Sequence, residues 1–250
     1  MLSIIIPAHQ EEKRIAKTLQ EYCETFFQDE IIVSLNNCTD RTLDIVKEFQ
    51  YKYPEVNLKY IESSLGAKGA AVLAGFRIAI GDYIGFVDAD CSTSAEEYKN
   101  LFDRLLCNNL SIDCYDGIIA SRYMKESIVE PKQSWKRIVV SRIFNAFVNV
   151  LLGLGYHDTQ CGAKIFTKEA VQKVLPQIRT NKWAFDIDLL YHLKKEGLKI
   201  MELPTVWSDA EYSTLNVGKA GPNMVLAVVR LRLLYSPLKF IVDIYDWIKR

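Results

Sequence analysis

Two aspartates, Asp88 and Asp90, stand one residue apart at the end of the apolar run Asp82–Val87. Carboxylates spaced this way at a strand end can share a divalent cation and a diphosphate. Hard oxygen ligands suit Mg2+ or Mn2+, which keep other positions for water and phosphate oxygens. The same pair also fits a solvated turn, where aspartate is common. Lys68 lies between Gly66 and Gly69 in a turn before a helix, a place suited to a phosphate or a base edge and equally to a surface lysine. Pro7 is expected to end the first strand and turn the chain, leaving Glu11 near the strand's carboxyl end or in the first turn of a helix, where an acid favours the dipole. Thr39-Asp40 precedes another helix and fits an N-cap. The six cysteines are scattered with no CxxC pair, which argues against a zinc module and for buried free thiols.

The elements that must position these residues alternate. Leu2–Ile6 reads as a buried strand; Ile15, Leu19, Tyr22 and Phe26 recur at helical spacing within Glu11–Phe27; Glu30–Leu35 restores a strand before the turn NNCTD. Thr42–Tyr53 is helical, Leu58–Ile61 a strand, Ala67–Ile80 a helix and Asp82–Val87 a strand. Such alternation implies an α/β fold with a mainly parallel sheet covered on both faces. Ligands of such sheets sit beyond the carboxyl ends of the strands, and three polar loops follow strands here: Pro7–Glu12, Asn36–Arg41 and Asp88–Ser94. Further on come a helix (Ala95–Leu106), a strand (Asp116–Ala120), a polar loop (Met124–Ser134), a long apolar helix (Trp135–Tyr156) and a polar loop (HDTQCGAK). A strand (Ile165–Thr167), helices Lys168–Leu175 and Phe185–Glu196, a strand (Lys199–Leu203), a loop (Trp207–Pro222) and a helical tail complete the chain. Its 250 residues, 49% hydrophobic and 25% charged, suffice for a core without disulfide or metal staples and exclude a largely disordered chain. Lys plus Arg and Asp plus Glu both count 31, so no basic excess points to nucleic acid.

The order of motifs is specific. Leu2–Glu12 (LSIIIPAHQEE), Ser34–Thr42 (SLNNCTDRT), Gly66–Ala71 (GAKGAA) and Gly81–Asp90 (GDYIGFVDAD) occur over the first 125 residues in a series that resembles glycosyltransferase family 2, whose members have the Rossmann-like GT-A fold. The resemblance implies a nucleotide-sugar donor framed by Pro7, Ala8, Glu11, Asn36, Lys68, Asp88 and Ala89, with Mg2+ or Mn2+ on Asp88 and Asp90. Asn36 and Asn37 stand where the family usually has Asp-Asp or Asp-Asn, so an amide replaces a carboxylate beside the nucleoside. In the second half, Ala120–Tyr123 (ASRY), Trp135–Arg137 with Ser141, Asp158–Lys164 (DTQCGAK) and Trp183–Asp186 (WAFD) resemble the polyprenyl-phosphate hexosyltransferases of this family, among them the dolichyl-phosphate mannose and glucose synthases. Arg122, Arg137 and Ser141 match positions that receive the acceptor phosphate, a role suited to the bidentate donors of arginine. Asp158 and Asp186 are the remaining matched carboxylates. One of them serves as a base where the acceptor is a hydroxyl, or orients the sugar and the arginines where the acceptor is already an anionic phosphate. Two departures stand out: Ser92 where some mannose synthases have a metal-binding Gln, and Glu211–Thr214 where the subgroup often has Gly-Ser-Lys, so that the expected lysine is absent unless Lys219 substitutes for it.

The expected activity is therefore inverting, metal-dependent transfer of a hexose from UDP-glucose or GDP-mannose to polyprenyl phosphate, with Asp90, Asp158 and Asp186 at the reaction centre. The rivals are transfer to a sugar hydroxyl in cell-surface polysaccharide, with Asp186 as base, and a regulatory sugar-nucleotide-binding protein that has lost catalysis. Residues 1–215 are expected to form the catalytic domain and 216–250 a helical extension at a membrane interface. No secretory signal is visible, and the uncharged stretch Ile143–Tyr156, interrupted by Asn145 and Asn149, falls short of the roughly 20 apolar residues of a membrane span. The apolar segments Phe144–Leu154 and Val225–Trp247, the latter interrupted by Arg230, Arg232, Lys239, Asp243 and Asp246, fit a peripheral position at the cytoplasmic membrane face or an ordinary amphipathic helix packed on the domain.

Overall fold

Strand β1 (Leu2–Ala8) is buried along almost its whole length, as a strand covered on both faces must be, and its side chains alternate between two apolar layers. Leu2, Ile4 and Ile6 pack with Ile15, Leu19 and Tyr22 of α1 (Ile15–Thr25), while Ile5 packs on the opposite side with Val72 and Phe76 of α3 (Lys68–Ile78). The computed structural model describes residues 1–63, 66–109, 114–131, 134–180, 182, 184–208 and 217–248.

Between these helices come β2 (Glu30–Asn36), α2 (Thr42–Lys52) and β3 (Asn57–Ser63), followed after α3 by β4 (Tyr83–Phe86), α4 (Ala95–Asn109), β5 (Gly117–Ser121), β6 (Ile128–Glu130) and α5 (Trp135–Leu152). The chain continues through β7 (Lys164–Thr167), α6 (Lys168–Val174), α7 (Phe185–Lys195), β8 (Ile200–Pro204), β9 (Val206–Ser208), α8 (Val217–Leu234) and α9 (Lys239–Ile248). The main sheet has the order β3-β2-β1-β4-β7-β5-β8. Every pairing in it is parallel except those of β7, which runs antiparallel to both β4 and β5.

The reversed strand has a direct consequence for the site. Because β7 points the other way, its start lies at the carboxyl ends of β4 and β5, with Lys164 paired to Phe86. The loop that enters it, residues 158–163, therefore reaches the same edge as the three loops after β1, β2 and β4. Helices α1, α2 and α4 supply one layer, around Tyr22, Val46, Tyr98 and Leu105; α3, α5, α6, α7 and α8 supply the other, around Val148, Val171, Leu190 and Leu231. Helix α8, in the expected extension, thus contributes Val228 and Leu231 to the second core.

Three local expectations are corrected. Strand β1 passes through Pro7 to Ala8 rather than ending at the proline. The carbonyl of Ile5 accepts from Val87 N–H (3.0 Å), and β1 pairs with β4 only as far as Ile5, so the N–H that Pro7 lacks would fall on the side where the neighbour has already ended. The loops around residues 124–134 and 207 contain the short parallel ribbon β6–β9, in which Ile128 pairs with Val206 and Glu130 with Ser208. Finally, Cys23, Cys91 and Cys161 are buried free thiols as expected, but Cys107 and Cys114 are exposed. Among the described residues no helix is long and apolar enough to cross a membrane.

Candidate active site

The three strand-end loops share one backbone feature. Gln10, Asn37 and Cys91, one in each loop, are the non-glycine residues with positive φ (56°, 52° and 58°) among the described residues. A left-handed conformation costs an L-residue roughly 1–2 kcal/mol, so other contacts must hold it. Gln10 Oε1 accepts from the N–H groups of Thr39 (2.8 Å) and Asp40 (3.2 Å), while its Nε2 donates to Thr39 Oγ1 (2.8 Å). Asp40 accepts from Thr42 Oγ1 (2.6 Å), Thr42 N–H (3.1 Å) and Glu12 N–H (3.1 Å), so it ties the first residue of α2 and the second loop to the first, although the N-cap position itself falls on Arg41 rather than on Thr39 or Asp40. Thr18 Oγ1 of α1 donates to the Ala89 carbonyl (2.8 Å) and Cys38 Sγ to the Ala8 carbonyl (3.4 Å), which fixes Ala8 and Ala89 as buried backbone supports. Asn36 is buried at the end of β2; its carbonyl is 2.7 Å from His9 Nδ1, and its side-chain Oδ1 has no hydrogen-bond partner among the described residues.

Around the aspartate pair, charges of both signs converge. Lys68 Nζ, at the start of α3, lies 2.5 Å from Asp88 Oδ1. Burial pushes the Asp88 carboxyl up, but Lys68, with Lys164 and Arg122 beyond it, outweighs burial and holds it below the usual carboxylate range. Burial likewise counts against the Lys68 ammonium, and the carboxylates of Asp88 and Asp186 overcome it and drive that group up. Asp90 is pushed up, first by burial and then by the Asp88 carboxylate; its Oδ1 accepts from Ser92 N–H at 3.0 Å. Glu11 is pushed up by burial despite a two-point clamp from Arg14, whose Nε and Nη2 donate to its two oxygens at 2.7 and 2.8 Å. Gly162, from the loop entering β7, completes this wall: a Cβ there would meet the Asp88 carboxylate, so any larger residue requires that side chain or the loop to shift.

Beneath the pair lies a residue that the sequence motifs contained but to which they assigned no role. Lys164 is fully buried; its Nζ donates to Asp186 Oδ1 (2.6 Å) and to the Cys161 carbonyl (2.6 Å), and sits 5.2 Å from the centroid of the Phe86 ring. Lys68 approaches the same ring at 5.6 Å, so the last residue of β4 is flanked by two ammonium groups, an arrangement that aromatic faces favour. Burial pushes the Cys161 thiol up to about 11, which leaves it a packing group rather than a nucleophile.

Arg122, at the end of β5, is held by Asp158: Nε and Nη2 donate to Oδ2 and Oδ1 at 2.7 and 3.0 Å, and the Arg122 N–H adds a third bond at 3.1 Å. Its guanidinium also stacks near Trp207 (5.3 Å) and Tyr123 (5.4 Å). With both oxygens engaged, Asp158 orients Arg122 rather than waiting to take a proton. Burial raises its carboxyl, and Arg122 overcomes that and holds it low. Tyr123 Oη is 2.7 Å from Ser141 Oγ, which links β5 to α5; Arg137 lies one helical turn before Ser141, half-buried on the same face. A turn further on, Asn145 Nδ2 donates to the carbonyls of Tyr156 (2.8 Å) and His157 (2.9 Å), and Oδ1 accepts from Thr159 Oγ1 (2.9 Å). The amide that broke the apolar pattern of α5 is therefore the strap for the loop carrying Asp158. Glu202 holds that loop from β8, accepting from Asp158 N–H at 2.8 Å. Trp183 and Glu211–Thr214 lie outside the described residues, as does the side chain of Lys219.

The carboxylates of Asp88 and Asp90 have the hard-oxygen chemistry of a Mg2+ or Mn2+ site, but no three His, Cys, Asp or Glu side chains gather among the described residues. The family model for glycosyl transferase family 2 matches residues 3–175, spanning every strand from β1 to β7. The chain belongs to glycosyl transferase family 2. It is a glycosyltransferase, and the sheet with its strand-end loops is the GT-A fold of that family. Similar family 2 chains include a dolichyl-phosphate beta-glucosyltransferase of Dictyostelium discoideum, 29% identical over 94% of this chain and 74% of its own length. The enzyme of the same name from Homo sapiens is 29% identical over 93% of this chain and 76% of its own length. Among solved structures, the glucosyl-3-phosphoglycerate synthase of Mycobacterium tuberculosis, in complex with Mn2+, UDP and glucosyl-3-phosphoglycerate, superposes with a TM-score of 0.67 at 17% identity, over 93% of this chain and 78% of that one.

Proposed function

We propose that this chain transfers glucose from UDP-glucose to the phosphate of a polyprenyl phosphate, with inversion and with the help of Mg2+ or Mn2+. The observation that carries the reading is that two ion pairs, Arg122 with Asp158 and Lys68 with Asp88, lie near enough for Arg122 to act on the Asp88 carboxylate, so that two phosphate-seeking cations belong to one site. Two relatives named for beta-glucosyl transfer to dolichyl phosphate support the sugar and the acceptor.

On this reading Pro7, Ala8, Glu11, Asn36 and Ala89 frame the nucleotide, and Lys68 meets the diphosphate. Asp90, with Asp88, holds the cation, which when bound neutralises charge on the departing diphosphate. Arg122, Arg137 and Ser141 receive the acceptor phosphate. One of its oxygens attacks the anomeric carbon, and the bond from that carbon to the UDP oxygen breaks, its electron pair leaving with UDP. UDP-glucose carries an α-linked sugar, so a beta product, the linkage in the relatives' name, requires inversion. The phosphate is already an anion and needs no base, which suits an Asp186 whose carboxylate is tied to Lys164 at 2.6 Å and is left to orient sugar hydroxyls. Residues 1–215 act as the catalytic unit, and 216–250 seat it peripherally on the cytoplasmic face of a membrane, where the lipid acceptor resides.

The test is transfer of radiolabelled sugar into the organic phase, with Mn2+ or Mg2+, short polyprenyl phosphate, and UDP-glucose and GDP-mannose in parallel. Label is expected from UDP-glucose only, lost on addition of chelator and reduced at least about 100-fold in Asp90→Ala, the size of effect of losing a cation worth several kcal/mol. Label from GDP-mannose alone overturns the donor. Transfer to a sugar hydroxyl but never to the lipid phosphate overturns the acceptor, and a near-normal Asp90→Ala overturns the metal site.

A further inference from the structure

Behind the site, away from substrate, α7 carries a second buried acid that the reaction does not use. Asp188 is fully buried two residues after Asp186. Its Oδ2 accepts from the N–H groups of Arg179 (2.9 Å) and Thr180 (2.8 Å), and its Oδ1 from Tyr235 Oη (2.9 Å), a residue just past the end of α8. Tyr235 Oη is also 3.1 Å from the carbonyl of Gln177. The phenol ring stacks on Tyr191 (5.2 Å, 15° between planes) and meets His192 edge-on (4.7 Å, 90°), while His192 Nε2 lies 3.4 Å from Asp188 Oδ1. Burial and the facing Asp188 carboxylate both push the Tyr235 hydroxyl up, so it stays a donor throughout the working range.

This cluster joins two parts of the molecule with separate tasks. On one side are residues 177–180 and the first turn of α7, where Phe185 packs against Phe86 (6.0 Å) and Asp186 binds Lys164. On the other is the junction of α8 with α9, the segment assigned above to the membrane. We propose that Asp188 and Tyr235 are positioning residues for Asp186: the C-terminal helices hold the sugar-facing carboxylate in place from outside the catalytic sheet. This rests on the assignment of Asp186 to the transferred sugar. A sub-ångström shift of α7 moves Asp186 and Phe185 together, because both lie in the turn that Asp188 anchors, whereas Lys68, Asp88 and Asp90 belong to α3 and the β4 loop, outside that turn.

The discriminating variant is Tyr235→Phe, which keeps both ring contacts and removes one hydroxyl. Its kcat for transfer is expected to fall about tenfold, within the ~100-fold that a 1 Å misplacement can cost, with the Kd for UDP-glucose in Mn2+ changed less than twofold. Amide exchange at Arg179 and Thr180 and through residues 185–187 is expected to quicken. Asp188→Asn should show the same pattern more strongly, and adding Tyr235→Phe to it should cost no further activity, as for two parts of one device. A Tyr235→Phe enzyme that melts earlier but keeps wild-type kcat and unchanged exchange at residues 185–187, measured well below its melting temperature, overturns the proposal. If the wild type transfers no sugar to any lipid phosphate, the functional reading fails by itself, and unchanged exchange at residues 185–187 in Tyr235→Phe still overturns the latch.

Discussion

The pairing of Arg122 with Asp158 shows how much one buried ion pair does here. Asp158 is 3% and Arg122 14% exposed, so removing one partner strands a charge in poor solvent. Asp158→Asn is expected to cost about 3 kcal/mol in urea unfolding at neutral pH, by analogy with other broken buried pairs. The double variant Arg122→Met with Asp158→Asn should recover most of that stability but none of the transfer activity, because the cation proposed to receive the acceptor phosphate is gone. The sign of the pH dependence follows from the lowered carboxyl. A group that titrates below its unfolded value of about 3.9 contributes fully above that pH and loses its contribution as pH falls through the folded value. The stability gap between wild type and Asp158→Asn should therefore close in acid. A gap that is constant with pH, or a double variant no more stable than the single one, would show that packing rather than charge holds this loop.

At the scale of elements, the direction of β7 is what makes the site. Only an antiparallel strand between β4 and β5 delivers the 158–163 loop to the carboxyl edge, and glycine at 162 lets it lie against Asp88 where that carboxylate stands. Gly162→Ala would place a methyl against the Asp88 carboxylate, so that side chain must turn away from Lys68 or the loop must shift. Transfer is expected to fall at least about 100-fold, the cost of an ångström at a reaction centre, with unfolding weakened by only about 1–3 kcal/mol, the usual cost of overpacking. An active Gly162→Ala would mean that Asp88 yields without consequence. The strands themselves were legible because β1 and β2 are continuous β-branched runs, and the loops after them carried the donor motifs. Strand direction has no local signature, however, so β7 read as a strand without revealing which end faced the site. The ribbon β6–β9 was illegible for another reason: three residues on each side, half-exposed and far apart in sequence, give no period to detect. Lys164 was visible only as the last residue of a polar loop and Asn145 as a break in an apolar run, and their partners, Asp186 and the 156–159 loop, are set by tertiary approach.

At the scale of the whole molecule, α5 packs on α8 and α8 on α9, forming a layer whose outer side chains are unusually apolar. Trp135 is 70% and Trp247 77% exposed, and Ile143, Leu226, Phe240 and Ile244 are exposed with them. Lys136, Arg142, Arg232 and Lys239 are exposed on the same three helices. Apolar side chains with basic neighbours are the composition of a surface that rests in the interface of an anionic bilayer, and the lipid acceptor of the proposed reaction has its phosphate at that depth. Burying one such aromatic is worth roughly 1.5–3 kcal/mol, so Phe240→Glu with Trp247→Glu should remove at least about 3 kcal/mol of membrane affinity, on the order of a 100-fold weaker partition. Flotation with vesicles containing phosphatidylserine should show this loss, and raising the salt concentration should weaken wild-type binding as well. Transfer to polyprenyl phosphate embedded in those vesicles should drop in parallel, while transfer to a short acceptor presented in detergent stays near wild type. Equal flotation of variant and wild type would leave these helices without a membrane role. Loss of activity on both acceptors alike would mean that α9 supports the catalytic unit rather than its access to lipid.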